Sequence, residues 1–356
     1  MKNVFIIVPS ASLESPVRGA CALANGLSDL SCVTLVSLKG KSDAYKLLNR
    51  KVTIKDLSCY KSWLRKIRVL KKMLIHHEGN QKAVTISIGL SADFINSWCS
   101  GEAVTCSSVR GDLPKVYRQT YGRIGKWVAY LHLKRLKKIN YVISMTDSMT
   151  NLVESHIGRN SQVIGNFVDE VSLEKYRRKS QLKGPYKFVF TGALINGKQP
   201  SLLISAISEL LTRGLDVELN ILGEGPLLDS LKIQASNLSN PDVVSFHGFM
   251  EKPYDIVSNS DVFVLPSLSE GVSRSVLEAL YLGIPCVIRN FEGSSEVILS
   301  GINGELFQQD SELADKILSA AIFSRNKLLH RNILTLNRYR QDTAVKKYIN
   351  LLQLDS

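Results

Sequence analysis

Short apolar runs alternate with longer amphipathic stretches along the whole chain. Runs that are apolar at nearly every position are typical of strands buried on both faces of a sheet. The first half contains NVFIIVPS, SCVTLVSL, AVTISIGL, EAVTCSSV and YVISMTDS. The second half contains YKFVFTGAL, DVELNILGEG, DVVSFHGF, DVFVLPSL and IPCVIRN. Because helical patterns separate these runs, the sequence predicts parallel sheets with crossover helices.

The pattern restarts near residue 186, after the polar stretch DEVSLEKYRRKSQLKGP, which we interpret as an interdomain linker. A chain of 356 residues is also long for a single core. We therefore expect two α/β domains, residues 1–168 and 169–340, with a last helix in 341–356 packing back toward the first domain. Two such sheets facing across a cleft would bind ligands at the carboxyl ends of their strands.

The charge of the chain is concentrated in its first half. Residues 1–168 hold 25 Lys and Arg against 10 Asp and Glu, or +15, whereas residues 169–356 hold 20 against 22, or −2, which sum to the net +13. Nucleic acid, an anionic membrane surface or a phosphorylated substrate would each explain this imbalance. No nucleic-acid-binding module accompanies it, so we do not expect nucleic acid as a partner.

Composition limits the compartment in which the chain works. No apolar run approaches the roughly 18 residues that span a bilayer. The first run, FIIV after MKNV, is too short for a signal peptide and predicts a strand. The six cysteines lack metal-binding spacing, so we expect free thiols in a reducing cytoplasm.

Two basic segments, Lys61–His77 and Lys115–Lys138, predict helices that mix aromatic and cationic side chains. Such a helix either lies on an anionic lipid interface or turns its apolar stripe toward its own core. Together with the charge of the first half, these segments favour contact with a membrane surface or with a lipid-phosphate acceptor. We expect a cytoplasmic protein, peripheral on the inner face of the cytoplasmic membrane.

The segment DVFVLPSLSEGVSRSVLEALYLGIPCVI predicts a strand, a loop, a helix and a second strand. Ser273 is a suitable N-cap, and the first helical turn would offer its N–H groups and positive dipole end to a phosphate. Glu278 lies close enough to that turn to accept hydrogen bonds from ribose hydroxyls. Glu270, in the loop, would accept them from a sugar ring. The acid–base pair of a hydrolase, or two surface carboxylates, are the alternatives.

The same segment resembles the signature E-G-x-x-x-x-x-L-E-A followed by G-x-P-V of the retaining GT-B glycosyltransferases of family 4. Four further motifs of that family follow its order: TGALINGKQP, ILGEGP, VSFHGF and EGSSEVILSGINGELF. Fainter matches are RGACALANGLSD and VIGNFVDE. The chain is identified as a member of this family. Its motifs look most like those of bacterial enzymes of O-antigen, capsule or exopolysaccharide assembly. The resemblance implies a GT-B fold, two Rossmann-like parallel-sheet domains facing across a cleft.

The resemblance also implies roles for individual residues. Glu278 would bind the nucleotide ribose, Glu270 the hydroxyls of the donor sugar, and Lys198 the donor diphosphate. Further donor-binding positions would be Gly192, Gly223, Gly225, Gly271, Ser273, Arg274, Phe249, Met250 and Glu296. Phe249 and Met250 would flank the base, with a core role as the alternative for Phe249. Glu296 would either meet the donor or cap a helix.

Two departures from the family pattern concern charge and catalysis. Ala193 stands where the family has Arg beside the phosphate-binding Lys. Arg274 either compensates for this or forms an exposed i,i+4 pair with Glu270. Where many relatives place a catalytic histidine, this chain has Arg110 and Asp112. These would act on a phosphate and on the acceptor proton, or form a structural loop pair.

The implied reaction is transfer of a sugar, with retention, from a nucleotide sugar to a glycan or a polyprenyl-diphosphate-linked acceptor. The chain contains no D-x-D motif, so we expect no metal or other cofactor. A GT-B epimerase, which would isomerise the donor without an acceptor, and a degenerate nucleotide-sugar-binding homologue are the alternatives. A dehydrogenase is disfavoured because G-x-G-x-x-G does not follow the first strand.

Overall fold

The structure of the protein is a computed structural model that describes residues 1–11, 15–40, 43–76, 81–291, 293–326 and 337–355. His77 of the first basic segment and Glu292 of the last motif lie outside the described residues. The chain divides into two compact units. The first unit comprises residues 1–167 and 338–356, and the second comprises residues 168–337.

The first unit is built on a parallel sheet of seven strands in the order β3-β2-β1-β4-β5-β6-β7. The strands are β1 Asn3–Val8, β2 Cys32–Ser37, β3 Thr53–Asp56, β4 Ala83–Ile88, β5 Ala103–Ser108, β6 Tyr141–Ser144 and β7 Gln162–Val163. Ile6 in β1 lies opposite Leu35 and Ile86, and all three are fully buried. The five apolar runs of the first half are confirmed as strands, whereas β3 and β7 are not predicted from the sequence.

The second unit has a parallel sheet of six strands in the order β10-β9-β8-β11-β12-β13. The strands are β8 Tyr186–Thr191, β9 Val217–Leu222, β10 Val244–Gly248, β11 Val262–Leu265, β12 Cys286–Arg289 and β13 Gly304–Phe307. The chain builds outward from β8 through β9 and β10, then returns to place β11 on the other side of β8. The carboxyl ends of β8 and β11 therefore form the topological switch point, where open α/β sheets bind ligands.

Helices connect the strands in both units. Those up to the junction are α1 Ser15–Leu27, α2 Trp63–Ile75, α3 Leu90–Asn96, α4 Leu113–Tyr121, α5 Gly125–Leu136 and α6 Asp147–Ile157. Those that follow are α7 Glu170–Leu173, α8 Pro200–Thr212, α9 Leu228–Ser236, α10 Tyr254–Ser258, α11 Arg274–Tyr281, α12 Leu313–Asn326 and α13 Gln341–Leu352.

Helix α13 returns to the first unit and packs on α1. Gly26 makes this close packing feasible, since a Cβ there would lie 2.5 Å from Cγ2 of Val345. The Gln341 side-chain amide donates to the carbonyl of Ala22 at 2.7 Å. Tyr348 joins the core formed by β1, β2, β4 and α1. The last residues of the chain thus complete a core that the first residues begin.

Helix α2 turns its apolar stripe toward its own unit. Ile67, Leu70 and Leu74 are buried in the core beside β1 and β2. Lys66, which the helical pattern assigns to the solvent side, is buried instead, and its ammonium donates to the carbonyl of Leu38. At these positions the apolar stripe faces the core of its own unit and does not lie on a lipid interface.

The predicted helix Lys115–Lys138 is wrong as a single element. It consists of α4 and α5, joined by a 3-10 turn at Gly122–Ile124. Gly122 has φ 59°, a conformation that side chains disfavour, and it ends α4. A Cβ on Gly125 would lie 2.1 Å from the carbonyl oxygen of Tyr117. Two glycines therefore allow the chain to reverse and α5 to pack tightly on α4.

The stretch interpreted as a linker, residues 169–185, is folded into the second unit. The Tyr281 hydroxyl donates to Glu174 at 2.6 Å. Arg178 is largely buried, with its backbone N–H donating to Leu282 and its guanidinium to Ser324 at 2.8 Å. These contacts join the stretch to residues that are distant in sequence. It is therefore part of the second unit, and the interpretation as an interdomain linker is wrong.

Candidate functional site

The predicted donor-binding residues of the second unit lie in loops after the carboxyl ends of its strands. These loops follow neighbouring strands of one parallel sheet, so they share one edge of that sheet. They carry Gly192 after β8, Gly223 and Gly225 after β9, Phe249 and Met250 after β10, Glu270 and Gly271 after β11, and Glu296 after β12. The structure therefore brings this part of the predicted site together.

The glycines after β8 and β9 allow two loops to run in backbone contact. A Cβ on Gly223 would lie 1.8 Å from the carbonyl oxygen of Gly192, and one on Gly225 would lie 2.5 Å from that of Leu194. The Gly223 N–H donates to Gly248 at 2.7 Å, which ties in the loop after β10. Gly223 and Gly225 need glycine, because a side chain at either position would collide with the backbone of the neighbouring loop.

Lys198 and Glu270 join the loops at the switch point. Lys198 ends the 3-10 turn Asn196–Lys198 after β8, and its ammonium donates to Oε1 of Glu270 after β11. The N–H of Leu268 donates to the carbonyl of Gly197 at 2.9 Å, so the backbones are joined as well. The ion pair fixes a cation and a carboxylate where a ligand of this fold class binds.

Helix α11 begins at Arg274 with Ser273 at the N-cap, which confirms the predicted helix start. The Ser273 hydroxyl contacts the hydroxyl of Ser275 at 3.0 Å and makes no capping bond to the first turn. The first N–H groups of α11 therefore keep their capacity to donate, and the positive end of the helix dipole lies there.

Arg274 is buried at the start of this helix, with 7% of its side chain exposed. Its Nη2 donates to Oε1 of Glu278 at 3.4 Å, and its Nη1 has no hydrogen-bond partner among the described residues. The predicted i,i+4 pair with Glu270 is wrong, because α11 begins at Arg274 and Glu270 lies in the loop before it, whereas Glu278 lies one turn further along the helix. A buried guanidinium with an unused donor is well suited to an anion, since leaving the donor unpaired costs about 1–3 kcal/mol.

Phe249, Met250 and Glu296 are the remaining candidates at the sheet edge. Phe249 is 52% exposed, so its alternative role in the core is wrong. Its backbone N–H faces Oε1 of Glu224 at 3.4 Å, and Met250 beside it is partly buried. Glu296 ends the short 3-10 turn Ser294–Glu296 after β12. Its contact with a donor stays a prediction.

Comparison with known proteins gives a family match for part of the chain. Residues 172–331 match the family described as Glycosyl transferases group 1. We call residues 172–331 the group 1 domain, after the family that they match. The chain is 24% identical over 229 residues to protein CapJ of Staphylococcus aureus, covering 62% of this chain and 53% of CapJ. It thus spans about half the length of that relative.

A second relative matches about a third of the chain, and a solved structure matches its whole length. An Escherichia coli UDP-Gal:α-D-GlcNAc-diphosphoundecaprenol α-1,3-galactosyltransferase is 32% identical over 126 residues, covering 34% of this chain and 33% of that one. Anabaena HepE, solved with UDP and glucose, matches with a TM-score of 0.79 at 15% identity, covering 99% of this chain and 100% of HepE. This likeness shows the GT-B fold.

Arg110 and Asp112 belong to the first unit, outside the group 1 domain. Asp112 is the N-cap of α4: its Oδ1 accepts from the N–H of Lys115 at 3.1 Å, and its Oδ2 pairs with the Lys115 ammonium at 3.0 Å. Arg110 donates to Oδ1 of Asn166 at 3.3 Å. Each side chain thus has a local structural contact, and their catalytic roles stay predictions.

Sequence reasoning missed a buried polar network in the first unit. Oδ1 of Asp93 accepts from Ser87 at 2.5 Å and from Ser107 at 2.7 Å, and its Oδ2 lies 2.9 Å from Nε2 of His132. Nδ1 of His132 lies 2.7 Å from the Tyr117 hydroxyl. Burial, with the charge of Asp93 adding to it, raises the pKa of Tyr117 above its ordinary value. The network ties α3, α4 and α5 to β4 and β5.

One buried hydroxyl of the group 1 domain also escaped the sequence reasoning. Ser267 follows β11 and is fully buried, and its Oγ has no hydrogen-bond partner within the described part of the chain. It lies in the same strand–loop–helix segment as Arg274. A serine is common in loops, so its type alone carries no signal; only the burial distinguishes it.

Proposed function

We propose that the protein is a retaining glycosyltransferase. It moves a sugar from a nucleotide-sugar donor to a glycan or a polyprenyl-diphosphate-linked acceptor in bacterial O-antigen, capsule or exopolysaccharide assembly. The proposal rests on two ion pairs at the switch point of the group 1 domain. Lys198 pairs with Glu270, and Arg274 pairs with Glu278. Two cations and two carboxylates there match the chemistry of a sugar attached to a diphosphate.

The cations act on the leaving group. As the bond between the anomeric carbon and the diphosphate oxygen breaks, negative charge develops on the departing nucleoside diphosphate. In this proposal the groups that stabilise that charge are Lys198, the unused Nη1 donor of Arg274 and the first N–H groups of α11. This set supports a reaction without a metal ion, because fixed positive charge meets the phosphates directly.

The carboxylates act on hydroxyl groups. An ionised carboxylate accepts several hydrogen bonds, so a cation on one oxygen leaves the other available to a vicinal diol. Arg274 holds Oε1 of Glu278 for the ribose, and Lys198 holds Oε1 of Glu270 for the donor sugar. In the proposed same-face transfer the acceptor oxygen bonds to the anomeric carbon, and its proton passes to the departing phosphate oxygen. Retention follows from attack on the face that the leaving group vacates.

The acceptor and the location are proposed from charge and from the relatives. The galactosyltransferase is named for a diphosphoundecaprenol-linked sugar, and CapJ is a further bacterial relative. The +15 charge of residues 1–168 suits an anionic membrane surface and a lipid-phosphate acceptor. Among the described residues, no helix has the length and apolar character to cross a bilayer. We propose a peripheral position on the inner face of the cytoplasmic membrane, with Arg110 and Asp112 on the acceptor side.

One observation favours a second candidate function. Ala193 is exposed beside the phosphate-binding loop, where the resemblance expects a second cation. A domain that lacks this cation would bind nucleotide sugar without turnover. Buried Arg274 argues against the loss of function, because it supplies a guanidinium from the neighbouring loop–helix junction.

The test is turnover of a nucleotide-sugar panel in the presence of a chelator, with membrane extract as acceptor. Glu278→Ala and Lys198→Ala are compared with the wild type, and Lys232→Ala on exposed α9 is the matched control. Transfer from one donor, lost in the two site variants and kept in the control, supports the proposal. NMR of the product establishes whether the anomeric configuration is retained. Binding without transfer favours the degenerate homologue, and isomerisation of the donor without acceptor favours an epimerase.

A further inference from the structure

All three tryptophans of the chain are exposed. Trp63 in α2, Trp98 in the turn after α3 and Trp127 in α5 expose 41%, 43% and 66% of their surface. Tryptophan is highly buried on average, because its ring removes more apolar surface from water than other side chains do. Three exposed rings, all in the first unit, therefore indicate a surface with a partner.

Helix α5 presents an apolar face as well as its buried one. Ala129, Leu133 and Leu136 face the core of the first unit. Residues at i, i+3 and i+4 share a face of a helix. The outer face accordingly carries exposed Ile124, Trp127, Tyr130 and Leu131. The buried face already anchors α5, so the outer apolar side chains are not needed for its own packing.

Ring and cation contacts join Trp63 and Trp98 to helix α5, the helix that carries Trp127. The guanidinium of Arg135 lies 4.8 Å from the ring centre of Phe94 and 4.9 Å from that of Trp98. Phe94 in turn meets Trp63 edge to face at 6.0 Å. These contacts link α2 and α3 to the last turn of α5, whose outer side carries Trp127 and Tyr130. We call Trp63, Trp98, Ile124, Trp127 and Tyr130 the tryptophan face.

The charge around this face has one sign. Residues 113–146 contain eight Lys and Arg and no Asp or Glu. Cationic side chains such as Lys126 and Lys134 alternate with the exposed apolar residues of α5. Tryptophan and tyrosine favour the headgroup level of a bilayer, and long cationic side chains reach anionic lipid phosphates from the same depth. An acidic protein would explain the charge but not a row of large exposed apolar side chains inserted between the cations.

We propose that the tryptophan face docks on an anionic lipid bilayer, with the α4–α5 turn around Ile124 and Trp127 entering the headgroup region. Docking at this face would bring the proposed enzyme to a lipid-linked acceptor. In that respect the inference rests on the proposed function. Docking itself needs no donor, so it is measured without any sugar nucleotide. Activity and docking can therefore fail independently.

The experiment uses the full chain with vesicles of phosphatidylcholine alone or with added phosphatidylglycerol. Because every tryptophan lies on the face, intrinsic fluorescence reports contact directly, and co-sedimentation measures the bound fraction. We expect a blue-shifted emission and sedimentation with anionic vesicles only. Lys126→Ser/Trp127→Ser removes one cation and one exposed apolar side chain from the face and should weaken partitioning about tenfold or more. Lys232→Ser/Ile233→Ser makes the same change on exposed α9 and should leave partitioning unchanged.

Three results would overturn the inference. The first is no binding to anionic vesicles, including the case in which an acidic protein or a nucleic acid binds the face instead. The second is binding that the two double variants weaken equally, which would indicate net charge without a defined surface. The third is sedimentation without a change in tryptophan emission. Circular dichroism and thermal unfolding of both variants show that they are folded. Loss of transfer to a soluble acceptor alone would count against the proposed function and leave the docking result standing.

Discussion

Removing the Lys198 ammonium tests whether the ion pair at the switch point serves a donor diphosphate. In the structure this ammonium donates to Oε1 of Glu270, and both side chains are largely buried. Lys198→Ala removes the cation and leaves the Glu270 carboxylate without it beside the proposed phosphate position. We expect the variant to lose attraction for the diphosphate and, in addition, to repel it.

The magnitude follows from the distance and the exposure. A cation about 4 Å from a phosphate charge contributes about 4 kcal/mol at an effective dielectric constant of about 20. Lys198 keeps 26% of its side chain exposed, so screening by solvent lowers this contribution. We take about 2–3 kcal/mol, which corresponds to a loss of about 30- to 150-fold in diphosphate affinity. Repulsion from Glu270 adds about 1 kcal/mol at water-like screening.

Calorimetric titration with a panel of nucleoside diphosphates compares the wild type with Lys198→Ala, Glu270→Gln and the double variant. The double variant should bind about fivefold more tightly than Lys198→Ala, because it no longer holds an uncompensated carboxylate. Turnover should be absent from both. A double variant that binds no better than the single one would refute the placement of Glu270 against the diphosphate. Wild-type affinity in Lys198→Ala would refute the phosphate role of Lys198 itself.

Three further predictions concern Glu278, the contact between His132 and Asp93, and the hydrogen bond from Tyr281 to Glu174. Glu278→Gln should weaken binding of a nucleoside diphosphate about tenfold or more without weakening that of inorganic pyrophosphate, because the ribose contact is lost whereas Arg274 keeps its charge for the phosphates. Equal losses for the two ligands in calorimetry would contradict this. His132→Ala should lower the free energy of unfolding by about 3 kcal/mol, since it leaves Asp93 without its imidazole partner, and a denaturation midpoint close to that of the wild type would contradict it. The hydrogen bond from Tyr281 is the main cause that lowers the pKa of Glu174, so this group stabilises the fold above about pH 4.5 and the contribution is lost as pH falls through the lowered pKa. Tyr281→Phe should therefore lose less stability than the wild type between pH 6 and pH 3 in urea titrations, and identical pH profiles would argue against it.

Strand predictions succeeded where burial leaves a local pattern in the sequence. The central strands of both sheets are covered on two faces, so they are apolar at nearly every position, as in β4, where all six residues are buried. The strands that were missed, β3, β7 and β13, lie at edges of the sheets. Residues of β3 are alternately exposed and half-buried, and β7 has only two residues. An edge strand of this kind is defined by its hydrogen bonds to the neighbouring strand. That strand is distant in the sequence, so a short stretch of residues does not reveal the pairing.

The candidate site likewise combines local features, which the sequence predicted, with long-range contacts, which it did not. The start of α11 at Ser273 and the spacing of Glu270 and Glu278 are local features, and the sequence predicted them. Arg274 has a glutamate four residues away on either side, so spacing alone could not choose between them. In the structure Arg274 pairs with Glu278 within α11, and Glu270 pairs with Lys198, which is 72 positions away in the sequence.

The sequence by itself therefore determined the central strands of both sheets, the start of α11, where charge accumulates and which motifs carry chemistry, because these depend on residues within a few positions of one another. Tertiary structure alone decided the partners. It buried Asp93 under His132, folded the stretch after residue 168 into the second unit, and left three tryptophans exposed on one surface. The physical reason is that burial, and with it the free energy of a charge or an apolar ring, depends on neighbours that the chain brings together from distant positions.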